Sequence, residues 1–465
     1  MTYSLPQDFH RELGSRTGKP PGPKGLPLLG NMLDFAKDQL GFFANVSRDY
    51  GDLVAVNFAG WPTLVVSDMA AIEKILVKEH RNFVKNELVW RQVTALFGDG
   101  LLTSNGELWQ RQRRIAAPPF AGRQLLSYDS DIVDLTEQML SGWRDGQVMD
   151  VHAEMMGLTL RIAANAFFAS NVEQDVVEMD HALNALILEL EKRFKRPIVI
   201  PDIVPLPGNI RYRRAIRTVE KVVARMIEER RKTGLEGRMD FLSRMMAAHD
   251  ETGRHLPDKL LRDEAITLLL AGHETTALAL SWTFFLLGQH PDADRKVFEE
   301  VARVVGERRA TSDDLPHLKF TESVVTEAMR LYPPAWVIGR ESVGPFELGG
   351  YNFPARTTIF ISQWVLHRDN RYFDEPEEFR PERWMGDLAH ELPRFAYMPF
   401  GGGPRICIGQ RFALNEAVLI LATIAQRFSA TWKAERPVTP FPSITLRPKG
   451  GVWVELRERS HATAH

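Results

Sequence analysis

The only cysteine among 465 residues lies in the run Phe400-Gly-Gly-Gly-Pro-Arg-Ile-Cys407-Ile-Gly409, and this run constrains the chain more than any other. Three consecutive glycines leave the backbone ahead of the sulfur bare, so a bulky group or a strained turn can approach it closely. Pro404 stiffens the loop. Arg405, two residues before the sulfur, can meet an anionic ligand and favours thiolate over thiol. From Gln410 to Phe428 the sequence is helical in character, which puts Cys407 at or just before a helix N-terminus, where the dipole again favours thiolate. A lone cysteine is ordinarily a small buried hydrophobe. A glycine-rich loop with an arginine is also a candidate phosphate cradle, but no Lys-Ser or Lys-Thr follows, which excludes a P-loop.

Composition narrows the class. With 44% hydrophobic and 25% charged residues the chain is globular, and a net charge of -2 points to neither nucleic acid nor an anionic membrane. One cysteine cannot close an intramolecular disulfide, which agrees with a reducing compartment. Residues 1–19 are mostly polar and lack the apolar core of a secretion signal. No run of about 18 apolar residues is present to span a bilayer. A cytoplasmic protein without a membrane anchor is expected.

The ten residues match Phe-Gly-x-Gly-x-Arg-x-Cys-x-Gly at each fixed position, and in this the chain resembles the haem-ligand loop of the cytochrome P-450 superfamily. The resemblance implies haem b with Cys407 as its thiolate iron ligand, and Phe400, Arg405 and Gly409 against the cofactor. Three further stretches, in the family's order, extend it. Trp109 and Arg113 share one helical face at i, i+4, a pattern that by itself is weak; it is similar to the family's propionate-holding pair.

Ala271-Gly-His-Glu274-Thr275-Thr276 sits in a helix expected from about Asp258 to Gln289. The stripe Ala265, Leu268, Leu269, Gly272, Thr275, Thr276 and Ala279 narrows in mid-helix, so something flat or small could lie there. Thr275 could equally bond the Ala271 carbonyl and bend the helix. His273-Glu274 does not complete a zinc-protease pattern, because position 277 is Ala. The run resembles the family's oxygen-activation motif, which implies Glu274 and Thr275 as the proton relay and Ala271 beside haem and substrate.

Glu327-Ala-Met-Arg330 follows. Val324, Val325, Ala328 and Leu331 form an apolar stripe opposite Arg330, so periodicity alone expects an exposed ion pair worth little. The resemblance implies instead a buried structural pair completed by Arg383 of Pro381-Glu382-Arg383-Trp384, which would lock the loop that positions Cys407. It also implies Arg340 as a further propionate contact, and Ala335, Trp336 and Val337 at the substrate, although that short run also reads as buried strand.

Leu53–Phe58 and Thr63–Val66 read as a hairpin around Ala59-Gly-Trp-Pro62, with Ser67 or Asp68 capping the helix near Met69. Residues 343–362 and the stretch around 452–456 read as strands, and 130–250 as mainly helical. The proline-rich run 20–30 resembles the family's hinge. The apolar connector 197–208 is a surface loop or a lid. The fold expected is mainly α with a smaller β-rich region, the cytochrome P-450 fold with haem between two long helices. A single domain is expected over 20–458, its β-rich part mainly 50–66 and 343–362, with a polar segment 1–19 before it and a tail 459–465 after it.

The resemblance implies a monooxygenase that hydroxylates or epoxidises an apolar small molecule such as a fatty acid, terpenoid or steroid. A peroxide-driven or rearranging enzyme of the same fold is the nearer alternative, and a haem carrier or sensor the more distant one. No flavin- or nicotinamide-binding glycine fingerprint is apparent, so electrons from NAD(P)H are expected through separate proteins, a ferredoxin with its reductase or a flavodoxin-type donor. Arg111, Arg114 and Arg411 are the expected docking cations, and the protein is expected to be a monomer.

Overall fold

The computed structural model describes residues 18–86, 90, 93–169, 176–194, 204–236, 238, 240–249 and 255–459. Most of the polar segment 1–19, most of the connector 197–208 and the tail from 460 lie outside the described residues. The principal helices are α1 (Gln39–Tyr50), α2 (Gly106–Ala116), α3 (Asp129–Leu140), α4 (Val151–Phe168), α5 (Val176–Phe194), α6 (Pro207–Thr233), α7 (Asp258–Leu287), α8 (Pro291–Val304), α9 (Lys319–Leu331) and α10 (Gln410–Ala425). The strands are β1 (Leu53–Phe58), β2 (Trp61–Val66), β3 (Phe83–Lys85), β4 (Val148–Asp150), β5 (Ile338–Ser342), β6 (Phe346–Leu348), β7 (Tyr351–Phe353), β8 (Thr358–Ile361), β9 (Phe428–Trp432), β10 (Thr439–Pro442), β11 (Leu446–Lys449) and β12 (Trp453–Glu458). The fold is mainly helical with a smaller β region spread over several small sheets. The chain gathers into two compact units. One comprises Met1–Val89, Val337–Leu366 and Pro393–Ile406; the other comprises Trp90–Trp336, His367–Leu392 and Cys407–His465.

The first unit is built on a five-stranded sheet of order β1-β2-β8-β5-β3. The β1–β2 turn is tighter than the sequence suggests. Phe58 pairs with Trp61, so Ala59-Gly60 alone make the turn, both at positive φ (51° and 90°), while Trp61 and Pro62 belong to the strand. Pro62 is tolerated because β8 pairs only with Thr63–Val65 of β2. Asp68 caps the following helix by accepting from the Ala71 N–H at 2.7 Å. Leu64, Ile72, Ile75, Phe83, Ile359 and Phe395 lie in the apolar core of this unit.

In the second unit α7 is apolar on nearly all sides and buried along most of its length, as a helix must be when neighbours surround it. It packs most extensively on α4, and also on α6, α9 and α10. Trp282 of α7 is fully buried and stacks on Tyr332 with ring centroids 4.1 Å apart. Asp150 caps α4 through the His152 N–H and also accepts from the Val452 N–H, just before the chain's last strand. α10 stops at Ala425, earlier than its apolar pattern suggests, and Phe428 opens β9. Arg459, assigned by sequence to the tail, is held by Asp294 at 2.6 Å. Strands β3, β4, β5 and β9–β11 escaped sequence reading: β3 and β4 have three residues each, β5 ends where the 343–362 strands were expected to begin, and two prolines in β10 argue against a strand there.

Candidate active site

Cys407 begins the last segment of the second unit, two residues before Gly409, the N-cap of α10. Its side chain is open to water, yet enough protein surrounds it that burial pushes the thiol up. The Gly409 N–H, donating to the sulfur, and the charge of Arg113 oppose that shift without overcoming it. The cation expected to favour the thiolate was Arg405; the one whose charge reaches the sulfur is Arg113 of α2. A bound metal would supply what is missing, because a coordinating thiol is deprotonated outright. A single exposed sulfur just before a helix N-terminus fits one thiolate ligand to such a metal. One turn before Arg113 on the same helix, Trp109 is buried. Burial lowers Arg113 itself, and the charge of Cys407 works the other way. Arg114 and Arg411 are exposed and Arg111 is half-buried.

The helical motif divides between three neighbours, which corrects the single stripe read from the sequence. Gly272 faces α4: a Cβ there would lie 2.8 Å from the Phe167 ring, so its small size admits a neighbouring helix. Thr276 is buried, and its hydroxyl acts on Glu416 of α10. Ala271 is exposed, and Gly272, Glu274 and Thr275 are partly so, in the middle of a mostly buried helix; Ala271 and Thr275, at i and i+4, share one side of it. The Thr275 hydroxyl donates to the Ala271 carbonyl at 2.8 Å.

Glu274 points elsewhere. Its Oε1 accepts from Thr445 Oγ1 at 2.7 Å and from Arg447 Nε at 2.8 Å. Burial alone would raise this acid, but Arg447, the Thr445 hydroxyl and His273 outweigh it and hold the carboxyl below its usual range. Neither Thr445 nor Arg447 was legible in the sequence, since they lie some 170 residues from Glu274 in a hairpin without a motif. Glu416, nine residues after Cys407, was also missed; it is fully buried, and burial pushes its carboxyl well up against the opposing influence of the Thr276 hydroxyl.

In the first unit the triple glycine is explained by packing. Gly401 and Gly403 have φ of 76° and 68°. A Cβ on Gly402 would lie 2.7 Å from the Phe395 ring, and one on Gly403 would lie 1.9 Å from the Leu76 carbonyl oxygen. What approaches this backbone is the unit's own chain. Phe400 is half-buried at the start of the loop.

Arg340 is buried, and burial pushes it down to about 10. Directly opposite it in the β3–β5 ladder stands Lys85. Burial, then Arg340 and Arg405, depress Lys85 well below the usual lysine range. Like charges directly opposite in a sheet are destabilising, and these three basic groups lie within one unit. Lys85 is the member sequence reading missed; a single lysine in a three-residue strand carries no signal.

Glu327 and Arg330 of α9 are both fully buried, against the exposed pair that periodicity suggests. Water reaches this helix along Lys319, Glu322 and Thr326; Arg330 continues that face, but there residues 367–378 cover it. Glu327 Oε1 accepts from Arg330, from Arg383 Nε at 2.9 Å and from the Arg380 N–H at 3.0 Å, while Oε2 accepts from Arg330 and from Trp384 Nε1 at 2.8 Å. Arg330 donates to the carbonyls of His367, Pro376 and Glu378. Arg383 donates to those of Asp374 and Glu375. These bonds fasten residues 367–384. Trp336 is buried and donates from Nε1 to the Ser443 carbonyl at 2.9 Å, while Ala335 and Val337 are half-buried.

Among the described residues no helix is long and apolar enough to cross a membrane. Comparison with known proteins adds the following. The chain is 37% identical to the cyclooctat-9-en-7-ol 5-monooxygenase of Streptomyces melanosporofaciens, covering 92% of this chain and 91% of the relative. It is 35% identical to cyclooctatin synthase of the same organism, over 92% and 91%. With the pentalenene oxygenase of Streptomyces avermitilis it shares 31% identity, over 91% and 94%. The sequence model of the cytochrome P-450 family matches residues 20–454. Matched by that model over nearly its whole length, with its one cysteine at the N-terminus of α10, the chain belongs to the cytochrome P-450 family.

Proposed function

We propose that this haem-thiolate monooxygenase hydroxylates or epoxidises a cyclic terpenoid hydrocarbon or alcohol. The observation that carries the reaction class is the accessible sulfur of Cys407 with the Arg113 charge within reach, in the same unit as an accessible Ala271–Thr275 face. The substrates for which the similar oxygenases are named support the terpenoid class. When bound, haem b supplies the dioxygen chemistry, by which one oxygen atom enters the substrate and the other leaves as water.

The chain's own residues have separable tasks. Cys407 is the iron ligand. Trp109, Arg113, Arg340 and Arg405 are the groups read as holding the propionates, and Phe400, Gly409 and Ala271 as meeting the ring. Glu274 and Thr275 pass protons to the reacting oxygen, which needs an acid linked to solvent and a hydroxyl near the iron. Ala271, Ala335, Trp336 and Val337 orient the carbon to be oxidised. Glu327, Arg330 and Arg383 are structural. Residues 20–458 act as one domain, in a cytoplasmic monomer.

Thr275→Ala tests the relay. Reductant consumption is expected to persist while product per reductant falls about tenfold or more, toward the ~10²–10⁴ that a positioned proton donor contributes, and peroxide rises. Unchanged product yield contradicts the relay and favours peroxide-driven chemistry. For the substrate, a panel of cyclic terpenes, fatty acids and steroids is expected to shift the haem spectrum only with terpenes; a response confined to fatty acids overturns that class.

Electrons reach the protein from NAD(P)H through a ferredoxin and its reductase, docking at Arg111, Arg114 and Arg411. Reversing all three charges is expected to slow reduction by about tenfold or more at low salt, the scale of electrostatic steering. An unchanged rate removes this docking face.

A further inference from the structure

Residues 98–104 run between the first turns of α7 and the helix that carries Arg113, and they are bonded to both. The Asp99 N–H donates to Asp263 Oδ2 at 2.9 Å and the Leu101 N–H to Glu264 Oε2 at 3.1 Å, so two successive acids of α7 hold alternate residues of the loop. On the other side Gln112 Nε2 of α2 donates to the Asp99 carbonyl at 2.6 Å, and the Ser104 hydroxyl donates to Gln112 Oε1. The backbone of Asp99 alone therefore bridges the two helices. Gln112 is buried and immediately precedes Arg113, whose charge reaches the Cys407 sulfur. We propose that Glu264 is a positioning residue: through the strut 98–104 and Gln112 it sets where α2 places Arg113, and its ionisation loosens the strut. The role rests on the reading of Arg113 as a group that holds the haem.

The strut fits α7 closely. Gly98 has a φ of 52°, and a Cβ on it would lie 2.1 Å from Asp263 Oδ2; one on Gly100 would lie 2.1 Å from Thr267 Oγ1. Only glycine brings the backbone this near the helix. Thr103 Oγ1 donates to the Gly98 and Gly100 carbonyls at 2.7 and 3.1 Å, closing the loop on itself. Inside this contact Glu264 Oε1 and Thr267 Oγ1 are buried, with no hydrogen-bond partner among the described residues. Glu264 thus has one backbone N–H to hold and an idle oxygen beside it. A neutral acid tolerates that setting, but a carboxylate there lacks the donors its charge requires. When Glu264 ionises, the loop must yield so that water can reach the oxygen.

The two acids differ in their compensation. Asp263 has Arg262 at 2.5 Å and Lys259 at 3.5 Å; Arg262 also pairs with Glu220 of α6, and Lys259 with Asp99 of the strut at 2.7 Å. No cation pairs with Glu264 among the described residues, and the charged group that acts on it is its neighbour Asp263. Burial, joined by that like charge and opposed by the Leu101 N–H, pushes Glu264 up to about 8. An acid raised in the folded chain makes the closed strut less stable as pH climbs from the ordinary carboxyl range to about 8, with no further loss beyond. The grip is firmest in mild acid and weakest in mild alkali.

Two readouts on the holoenzyme test this, neither requiring turnover. The first is hydrogen exchange of the Asp99 and Leu101 amides, corrected for the intrinsic rate at each pH. In wild type their protection is expected to fall with rising pH, by up to about tenfold per pH unit, and to level off near pH 8; in Glu264→Gln, an uncharged side chain of the same shape, it is expected to stay flat. Asp263→Asn, which removes the like charge, is expected to bring the levelling down by about 1 pH. The second readout is the haem midpoint potential, which is expected to fall through about pH 8 in wild type as the Arg113 charge withdraws, and not in Glu264→Gln. Gln112→Leu cuts the strut from α2, so it is expected to keep the exchange profile and lose the fall in potential. Wild-type protection without this pH dependence, or its persistence in Glu264→Gln, overturns the grip. A fall in potential that survives Gln112→Leu reports only the field of the Glu264 charge and overturns transmission through the strut. Arg113→Gln separates the two readings. If Arg113 does not hold the haem, that variant leaves the potential unchanged while the exchange profiles stand; if the strut is wrong, Arg113→Gln lowers the potential and Glu264→Gln leaves exchange as in wild type.

Discussion

Glu327→Ala is expected to cost the fold about 3–5 kcal/mol, the scale for removing one partner of a buried ion pair. The carboxylate accepts from Arg330, Arg383, the Arg380 N–H and Trp384 Nε1. Its loss leaves the Arg330 guanidinium fully buried with no counter-charge from its own helix, and takes a partner from Arg383, whose side chain is 7% exposed. The remaining carbonyl bonds of Arg330 hold the charge in place without neutralising it. Because those bonds fasten residues 367–384, the damage should spread along that segment. A single-phase urea unfolding curve with its midpoint lowered, together with weakened haem retention, is the expected measurement. A loss of less than about 1 kcal/mol would place the network among weak surface pairs and contradict its structural role.

Conversely, Glu327→Gln keeps the shape and two acceptor or donor positions but not the charge, and is expected to fall between wild type and Ala. That ordering separates the charge from the volume of the side chain.

What the sequence disclosed and what it hid follow from the range of the interactions concerned. The placement of Cys407 and Gly409 at the start of α10 was legible because loop, sulfur and helix N-terminus are contiguous. The β1–β2 hairpin was legible for the same reason, apart from the two residues by which its turn is tighter. Arg330 shows the limit of periodicity: a stripe marks the buried side of a helix only if another side meets water, and this helix has none at that position. The triple glycine was read as admitting a bulky group or a strained turn; Gly401 and Gly403 do take positive φ, and Phe395 and the Leu76 backbone fill the space, the latter more than 300 residues away in sequence. Lys85, Thr445 and Arg447 were missed on the same ground. Each acts on a group brought near only by sheet pairing or by the hairpin, and none stands in a pattern of its own.

Cys407→Ser carries the other large effect. Serine keeps nearly the volume of the side chain, and its oxygen can still receive the Gly409 N–H that approaches the sulfur. It cannot supply the polarisable thiolate whose electron donation defines this class of haem protein. Arg113 would then lose the charge that offsets its own burial. Fold and haem uptake are expected to survive in part, since the Glu327 network, Arg340 and Arg405 do not involve this residue, while monooxygenase activity is lost. The most direct measurement is the spectrum of the reduced, carbon monoxide-bound holoprotein, wild type beside Cys407→Ser. Wild type is expected to show the red-shifted Soret band of a thiolate ligand and Cys407→Ser to lack it. Absence of that band in freshly reduced wild-type holoprotein, or its persistence in Cys407→Ser, would contradict the assignment of Cys407 as the iron ligand.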